Sequence, residues 1–176
     1  MNTSMGIVAA LASAALAGCG NSGDAPGNAT ATTTTTATWN AEDACAILDK
    51  NVAAAALGIG VTKTELGSVS PAAEGRAAFS MCTYTLADGG QMMLLTRAAP
   101  NGDFASSDVE ASRTADGTMP PASDVPGLGR AALWRDQGAQ LQVFLDDRRY
   151  VAINLSGPSA TGDAKGRTIA VAKKML

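Results

Sequence analysis

The apolar positions that follow Trp39 recur at the spacing of an amphipathic helix. Asn40 can cap this helix, Glu42 and Asp43 lie in its first turn near the positive end of the helix dipole, and Gly58 can end it. The side chains that share its apolar face are Cys45, Leu48, Val52 and Ala55. The pattern therefore predicts one amphipathic helix between Asn40 and Gly58.

Between residues 78 and 155 the apolar positions alternate instead, as they do in strands with one buried face. The predicted strands are 78–86, 91–96, 131–135, 139–145 and 150–155. Turns rich in Asp and Gly separate several of these strands, which predicts antiparallel hairpins. The inward side chains are Cys82, Tyr84 and Leu86 on the first strand, Leu141, Val143 and Leu145 on the fourth, and Val151, Ile153 and Leu155 on the fifth. The strands together predict an antiparallel meander.

The remaining segments complete an α+β pattern. Residues 98–124 are rich in small and polar residues, and within them 103–115 can form a short helix before the Pro120-Pro121 pair. Thr161 or Asp163 can cap a last helix. Its predicted buried side carries Ile169, Ala172 and Leu176, and Lys173 and Lys174 complement its C-terminal dipole. The predicted fold class is an antiparallel meander sheet packed against an N-terminal and a C-terminal helix.

The composition removes several classes of catalytic and binding site. None of the 176 residues is histidine, which excludes Ser-His-Asp and Cys-His catalysis and imidazole metal ligation. No nucleophile motif and no Walker-type phosphate loop occurs. The net charge is −3 and the 13 Lys and Arg are scattered, so nucleic acid has no electrostatic footprint. We expect no enzymatic activity, no cofactor, no metal and no nucleic-acid partner.

An apolar run near the N-terminus predicts export. The uncharged stretch from Met5 to Leu16 leads directly into Leu16-Ala17-Gly18-Cys19. This segment resembles the lipobox of bacterial lipoproteins, whose cysteine receives a diacylglyceryl group and becomes the first residue after cleavage. The resemblance implies a signal peptide at 1–18 and lipidation of Cys19. The alternative is a transmembrane helix, but the run is shorter than the roughly 20 apolar residues that cross a bilayer. Because export signals begin with basic residues and 1–18 contain none, we expect the natural signal to start further upstream.

The cysteine count agrees with this interpretation. The chain has three cysteines, and lipidation of Cys19 leaves Cys45 and Cys82 as a pair. An oxidising envelope favours a disulfide between them, which would join the first helix to the first predicted strand. Two buried free thiols are the alternative.

The segment between Cys19 and Trp39 predicts a tether. Residues 20–38 contain no hydrophobic side chain larger than Ala or Pro, so they have nothing to fold around. As a flexible chain they would span roughly 25 Å. We therefore expect a signal peptide at 1–18, a lipid anchor and disordered tether at 19–38, and a globular α+β domain at 39–176.

Gly20 stands where lipoproteins retained in the inner membrane carry Asp. The resemblance thus implies the outer membrane, facing the periplasm, in a diderm host, and otherwise the outer face of the plasma membrane.

Four groups of residues in the domain invite a functional interpretation, and each has a structural alternative. The groups are the thioethers of Met81, Met92 and Met93, the charges of Asp146, Asp147, Arg148 and Arg149, the carboxylates of Asp103, Asp108 and Asp116, and the indole of Trp39. Met92 and Met93 are adjacent on a strand and point to opposite faces, so core packing is favoured over a copper site. A solvated hairpin turn is favoured for the charged run, and the spacing of the Asp group does not fit an EF-hand. Trp39 is interpreted as a hydrophobic staple rather than a docking residue.

A second resemblance covers residues 42 to 176. An acidic helix with a cysteine at 42–48, a Cys82-Thr83-Tyr84 strand and the turn Val125-Pro126-Gly127-Leu128-Gly129 are similar to uncharacterised envelope lipoproteins of actinobacteria. The resemblance implies an α+β domain, for which a PsbP-like arrangement is one alternative, with a shared disulfide and no catalytic residues. From the residues alone, the glycines of the 125–129 turn indicate positive φ or close backbone approach, with a ligand-cradling turn as the alternative.

These observations lead to three hypotheses about function. The first is a membrane-anchored, non-enzymatic binding or structural module that meets an envelope protein or the cell wall. The second is a small-ligand carrier with a pocket between sheet and helices. The third is an enzyme of another type, which would require carboxylates, Tyr or Lys to converge in a cleft.

Overall fold

The computed structural model describes residues 39–102 and 105–176, which lie in one compact unit, Thr36–Leu176. The predicted signal peptide, the Cys19 anchor and the tether lie outside the described residues. The helices are α1 Ala44–Ile47, α2 Lys50–Leu57, α3 Ser106–Thr114 and α4 Ala164–Ala172, with single 3₁₀ turns at Ala115–Gly117 and Gly157–Ala160. The strands are β1 Val61–Ser70, β2 Ala78–Leu86, β3 Gln91–Ala98, β4 Ser123–Asp124, β5 Ala131–Arg135, β6 Gln140–Phe144 and β7 Arg149–Ser156.

The N-terminal segment forms two short helices, so the prediction of a single helix is wrong. The Asp43 side chain accepts a hydrogen bond from Ala46 N at 3.0 Å and caps α1. The Asp49 side chain accepts one from Asn51 N at 2.8 Å and caps α2. Each short carboxylate satisfies N–H groups that begin a new helix, which favours a break between the two.

The faces of these helices differ from the prediction as well. Val52 and Ala55 are exposed, whereas Ala53 and Leu57 are the buried side chains of α2. Leu48, which lies between the helices, is buried as predicted. Asn40 does not cap a helix, although its side chain accepts a hydrogen bond from Glu42 N at 3.0 Å. Gly58 ends α2 as predicted, in the left-handed conformation at φ +67°.

The seven strands form one antiparallel sheet in the order β1-β2-β3-β7-β6-β5-β4. Two hairpin-connected groups, β1 to β3 and β4 to β7, meet where β3 pairs with β7. The predicted α+β class with a meander-like antiparallel sheet is confirmed. Strand β1 is absent from the prediction because this edge strand is exposed or half-exposed along its length and shows no apolar alternation.

The core lies between one face of the sheet and the helices α1, α2 and α4. The predicted inward side chains of β2, β6 and β7 all belong to this core, with Leu145 half-buried at its margin. Asp163 caps α4 by accepting a hydrogen bond from Gly166 N at 2.9 Å. The predicted burial of Leu176 is wrong, since this residue is 60% exposed and its neighbour Met175 is buried instead.

A buried polar network attaches the N-terminal segment to the sheet. Ser80 on β2 accepts a hydrogen bond from Ala44 N at 2.8 Å and donates one to Ala41 O at 2.8 Å. Thr96 on β3 donates a second bond to Ala41 O at 3.1 Å. Because these backbone groups are buried, they need such partners, and the two hydroxyls hold residues 41–44 against the strands.

The pKa values of both tyrosines are raised in the folded chain, and we therefore expect the chain to lose stability in alkali. The Tyr84 hydroxyl is buried and donates a hydrogen bond to Leu48 O at 2.6 Å, and burial, reinforced by Asp49 and Asp43, raises the pKa of Tyr84. Burial also raises the pKa of Tyr150 to about 12, against the opposing effect of Arg97. Above the ordinary pKa of about 10, the unfolded chain loses these protons and the folded chain keeps them. We expect the free energy of unfolding to be unaffected by the tyrosines below pH 10 and to fall from pH 10 to 12, as measured by urea unfolding. A midpoint that is flat across this interval would contradict the assignment.

Candidate functional site

The disulfide between Cys45 and Cys82 is present and links α1 to β2. Their Cα atoms lie 5.1 Å apart, and Cys82 is fully buried on the core face of the sheet. This confirms the predicted pairing and its position as a link between helix and sheet. Cys19, the third cysteine, lies outside the described residues.

Among the described residues, only helix α3 and its neighbouring segment cover the opposite face of the sheet, and they do so at one end. Helix α3 lies over β5, where Val109 packs against the cluster of Leu133, Phe144 and Ala122. Away from α3, the side chains of β2, β3, β6 and β7 on this side are mostly half-exposed. We call this surface the open face, and it comprises Phe79, Met81 and Thr83 of β2, Met93 and Leu95 of β3, Gln140 and Gln142 of β6, and Asn154 of β7.

The strand register gives the open face an apolar and a polar half. Met81 lies opposite Leu95, and Thr83 lies opposite Met93, on β2 and β3. On the other side, Asn154 of β7 lies opposite Gln140 of β6 and continues the Thr83 and Met93 row. The surface therefore changes from thioether and aliphatic groups to amides over four adjacent strands.

The polar half of the open face is a ladder of amide side chains. Gln142 Nε2 donates a hydrogen bond to Gln140 Oε1 at 2.7 Å, and Gln140 Nε2 donates one to Asn154 Oδ1 at 3.3 Å. Within the described residues, the buried Gln142 Oε1 accepts no hydrogen bond. This ladder is absent from the predictions made from the sequence, although Gln140, Gln142 and Asn154 alternate with the predicted inward positions of their strands.

Met92 and Met93 point to opposite faces of the sheet as predicted, but the favoured core packing is found for Met92 and not for Met93. Met92 is fully buried in the core, whereas Met93 is 39% exposed on the open face. Met81 shares the open face with Met93, as its diagonal neighbour across β2 and β3. Two thioethers alone do not form a closed ligand set. Among the residues that the structure describes, no group of three or more His, Cys, Asp or Glu side chains could hold a metal ion.

The structure describes only part of the predicted acidic group. Asp103 lies outside the described residues. Asp108 is in the first turn of α3, where its Oδ2 accepts a hydrogen bond from Ala105 N at 2.6 Å. Asp116 lies in the 3₁₀ turn Ala115–Gly117. The described part of this group thus contributes to a helix start and a turn.

The charged run after β6 forms a tight turn organised by one carboxylate. Asp146 accepts hydrogen bonds from Arg148 N at 2.8 Å, Arg149 N at 2.7 Å and Arg149 Nε at 2.6 Å. Partial burial acts to raise the pKa of Asp146, but these hydrogen bonds outweigh it and lower that pKa below its ordinary value. The hairpin-turn interpretation is therefore supported by contacts that fix the turn.

Trp39 packs against this turn and against the core. Its ring lies beneath the Arg149 guanidinium, with 5.4 Å between the guanidinium carbon and the ring centroid. Its side chain is partly buried against the core cluster. The indole Nε1 is buried and makes no hydrogen bond within the described part of the chain. Trp39 is therefore packed against the core, but it is not a hydrophobic staple, because Asn40 caps no helix and α1 begins after Asp43. Trp39 also lines a surface cleft.

The 125–129 turn confirms the backbone interpretation of its glycines. Gly127 and Gly129 have φ of +79° and +55°. A Cβ atom on Gly129 would overlap the carbonyl oxygen of Phe144, so glycine permits the close approach of this turn to β6. Arg130 N then donates a hydrogen bond to that oxygen at 2.7 Å.

Three surface clefts of about 240 to 320 Å³ occur among the described residues. One lies beside α3 and Arg130, one lies at the β6–β7 turn, and one is lined by Pro120, Trp134 and Arg135. None of these three is lined by a residue of the helices α1, α2 or α4.

Comparisons with protein families, with curated proteins and with solved structures gave no match to this chain. No helix in the described ranges is long and apolar enough to span a membrane.

Proposed function

We propose that this chain is a lipid-anchored lipoprotein of the cell envelope whose domain is a non-enzymatic binding module. The observation that carries the proposal is the Cys45–Cys82 disulfide. It accounts for two of the three cysteines and is a bond typical of oxidising compartments. The remaining cysteine, Cys19, is the one within the segment that resembles a lipobox.

The open face is the surface that we assign to binding. It places Met93 and half-exposed aliphatic side chains beside amides that can donate and accept hydrogen bonds. Exposed apolar surface beside polar groups is typical of interaction sites. A protein of the envelope or a component of the cell wall is the proposed partner.

The small-ligand carrier is the less supported alternative. A carrier would need a cavity between the sheet and the helices, where the side chains of both layers are instead buried against one another. The three clefts described above are not lined by residues of these helices. No contact among the described residues favours the carrier.

The anchor and the binding surface can be tested in one set of cells. Full-length chains carry a photo-crosslinking amino acid at Met93 and are expressed with labelled palmitate, with and without Cys19→Ala. We expect the chain with Cys19 to take up palmitate and to crosslink to a discrete envelope partner. The Cys19→Ala chain should lose the label completely, because the acylated thiol is absent.

Val52 provides the matched control for the crosslinking arm. It is 40% exposed, close to the value for Met93, but it lies on α2 on the other side of the sheet. Crosslinks of equal yield and identity from both positions would contradict the open face as the binding surface. Palmitate uptake by the Cys19→Ala chain would refute the lipid anchor independently of any crosslink.

A further inference from the structure

A cleft of about 320 Å³ lies between Trp39 and the turn that connects β6 to β7. Its lining residues are Trp39, Ala98, Ala99, Asp146, Arg148 and Arg149, and we call it the Trp39 cleft. It is distinct from the open face, because Arg149 and Val151 alternate with Tyr150 along β7 and so point to the core side. Two arginines and one carboxylate give the lining a net positive charge.

Both arginines are held in place by contacts that use only part of each guanidinium. Arg149 donates from Nε to Asp146 and lies over the Trp39 ring. Arg148 donates from Nε to Ala99 O at 3.2 Å and from Nη2 to Pro100 O at 2.9 Å. Within the described residues, Arg148 Nη1 and both terminal nitrogens of Arg149 have no acceptor. These fixed guanidinium groups therefore keep donors available for a ligand.

The other polar groups of the lining residues are the Asp146 carboxylate and the Trp39 indole N–H. The Asp146 carboxylate already accepts three hydrogen bonds, so its charge is largely compensated by the turn. The buried indole N–H of Trp39 has no acceptor in the described part of the chain. The unsatisfied groups of the residues that line this cleft are thus all donors.

We propose that the Trp39 cleft binds a phosphate group. The guanidinium fork matches the oxygens of phosphate and forms charge-assisted hydrogen bonds with them. The phosphate can belong to an anionic phospholipid headgroup or to a soluble phosphate compound. The headgroup source rests on the proposed lipoprotein function, because the cleft would then lie at the end of the chain attached to the bilayer. Binding of phosphate itself does not depend on that function.

Tryptophan fluorescence of the full chain in non-ionic detergent micelles can test the proposal. The chain is titrated first with sodium phosphate at constant ionic strength, against chloride as the reference. We expect a saturable change in emission that disappears in Trp39→Phe, since Trp39 lines the cleft and Trp134 does not. Arg149→Gln and Arg148→Gln should each weaken binding by about tenfold or more, because each removes a charge-assisted hydrogen bond.

Arg76→Gln is the control, since Arg76 is exposed between β1 and β2 and does not line the cleft. Equal weakening in Arg76→Gln and in both cleft variants would indicate a general charge effect and would overturn the proposal. Absence of a saturable response to phosphate would overturn it as well. Because Arg149 also supports the turn, thermal unfolding of each variant is measured, and Arg148→Gln provides the second, independent test.

The source of the phosphate is decided by adding lipid to the same micelles. A response to phosphatidylglycerol but not to phosphatidylcholine, lost in Arg148→Gln, supports the headgroup. A response to inorganic phosphate without one to phosphatidylglycerol supports a soluble phosphate compound. Since palmitate labelling of Cys19 is measured separately, failure of the lipid anchor and failure of the phosphate site give different results.

Discussion

The Cys45→Ala, Cys82→Ala double variant should lose about 4 kcal/mol of the free energy of unfolding. The disulfide closes a loop with a sequence separation of 37, and opening that loop returns entropy to the unfolded chain. Domains of this size are commonly stable by only about 5 to 15 kcal/mol, so the loss would remove a large share of the total. Urea unfolding followed by tryptophan fluorescence measures the difference.

Reduction of the wild-type chain provides the control for this prediction. Under strong reductant, the wild type should unfold at nearly the same urea concentration as the double variant, and the double variant should not respond to reductant. Alanine is the suitable replacement because Cys82 is fully buried and a serine hydroxyl there would need a partner. If reductant leaves the wild-type midpoint unchanged, the two cysteines are not bonded.

Met92→Ala should lower the free energy of unfolding by about 2 to 5 kcal/mol, whereas Met93→Ala should change it by no more than about 0.5 kcal/mol. The two residues are adjacent on β3 and differ in which face they occupy. Met92 is fully buried between sheet and helices, so its truncation leaves a cavity, and Met93 is partly in solvent on the open face. Chemical denaturation of the two single variants measures both values.

This pair contains its own control, because the substitution and the local sequence are nearly the same at both positions. Equal losses in the two variants would mean that the open face is covered in the free protein. A larger loss in Met93→Ala would reverse the assignment of the two faces. A small loss in Met93→Ala, combined with a discrete crosslink from the photo-crosslinking amino acid at position 93, would identify this position as part of a binding surface rather than of the core.

Much of the sheet was predictable because one of its faces is buried. Side chains of β2, β6 and β7 alternate between core and solvent side, and this produces the period of two from which their inward residues were identified. Strand β1 has no such period, since it lies at the edge and no layer covers most of its side chains. Its pairing with β2 is made by backbone groups, which every residue carries and which leave no pattern in the sequence.

The N-terminal helices show a second limit, which is the competition between local capping and helical periodicity. Asp43 and Asp49 each satisfy the first N–H groups of a helix, and the chain starts a new helix at each rather than continuing one. Tyr84 then holds Leu48 O, at the break, by a bond across 36 residues of sequence. Because that partner is distant along the chain, the periodicity of residues 45–55 contained no sign of it.

The candidate binding surfaces could be predicted only in part. The charged turn and Trp39 were both recognised as features of the sequence, yet their separation by more than 100 residues concealed that Arg149 lies over the Trp39 ring. The amide ladder was likewise divided between β6 and β7. A cleft or a face combines side chains from several strands, so strand order and register determine its composition.

By itself, the sequence determined the α+β class, the core side of the strands, the glycine-dependent turns and the pairing of Cys45 with Cys82. These features follow from the burial of apolar side chains, from backbone conformations that favour glycine and from a count of cysteines. Only the tertiary structure decided that β3 pairs with β7, that the described residues cover one face of the sheet only in part, and that Trp39 lies beneath Arg149. Each of these features depends on contacts between segments far apart in the chain. A local sequence pattern contains no information on the energies of such contacts.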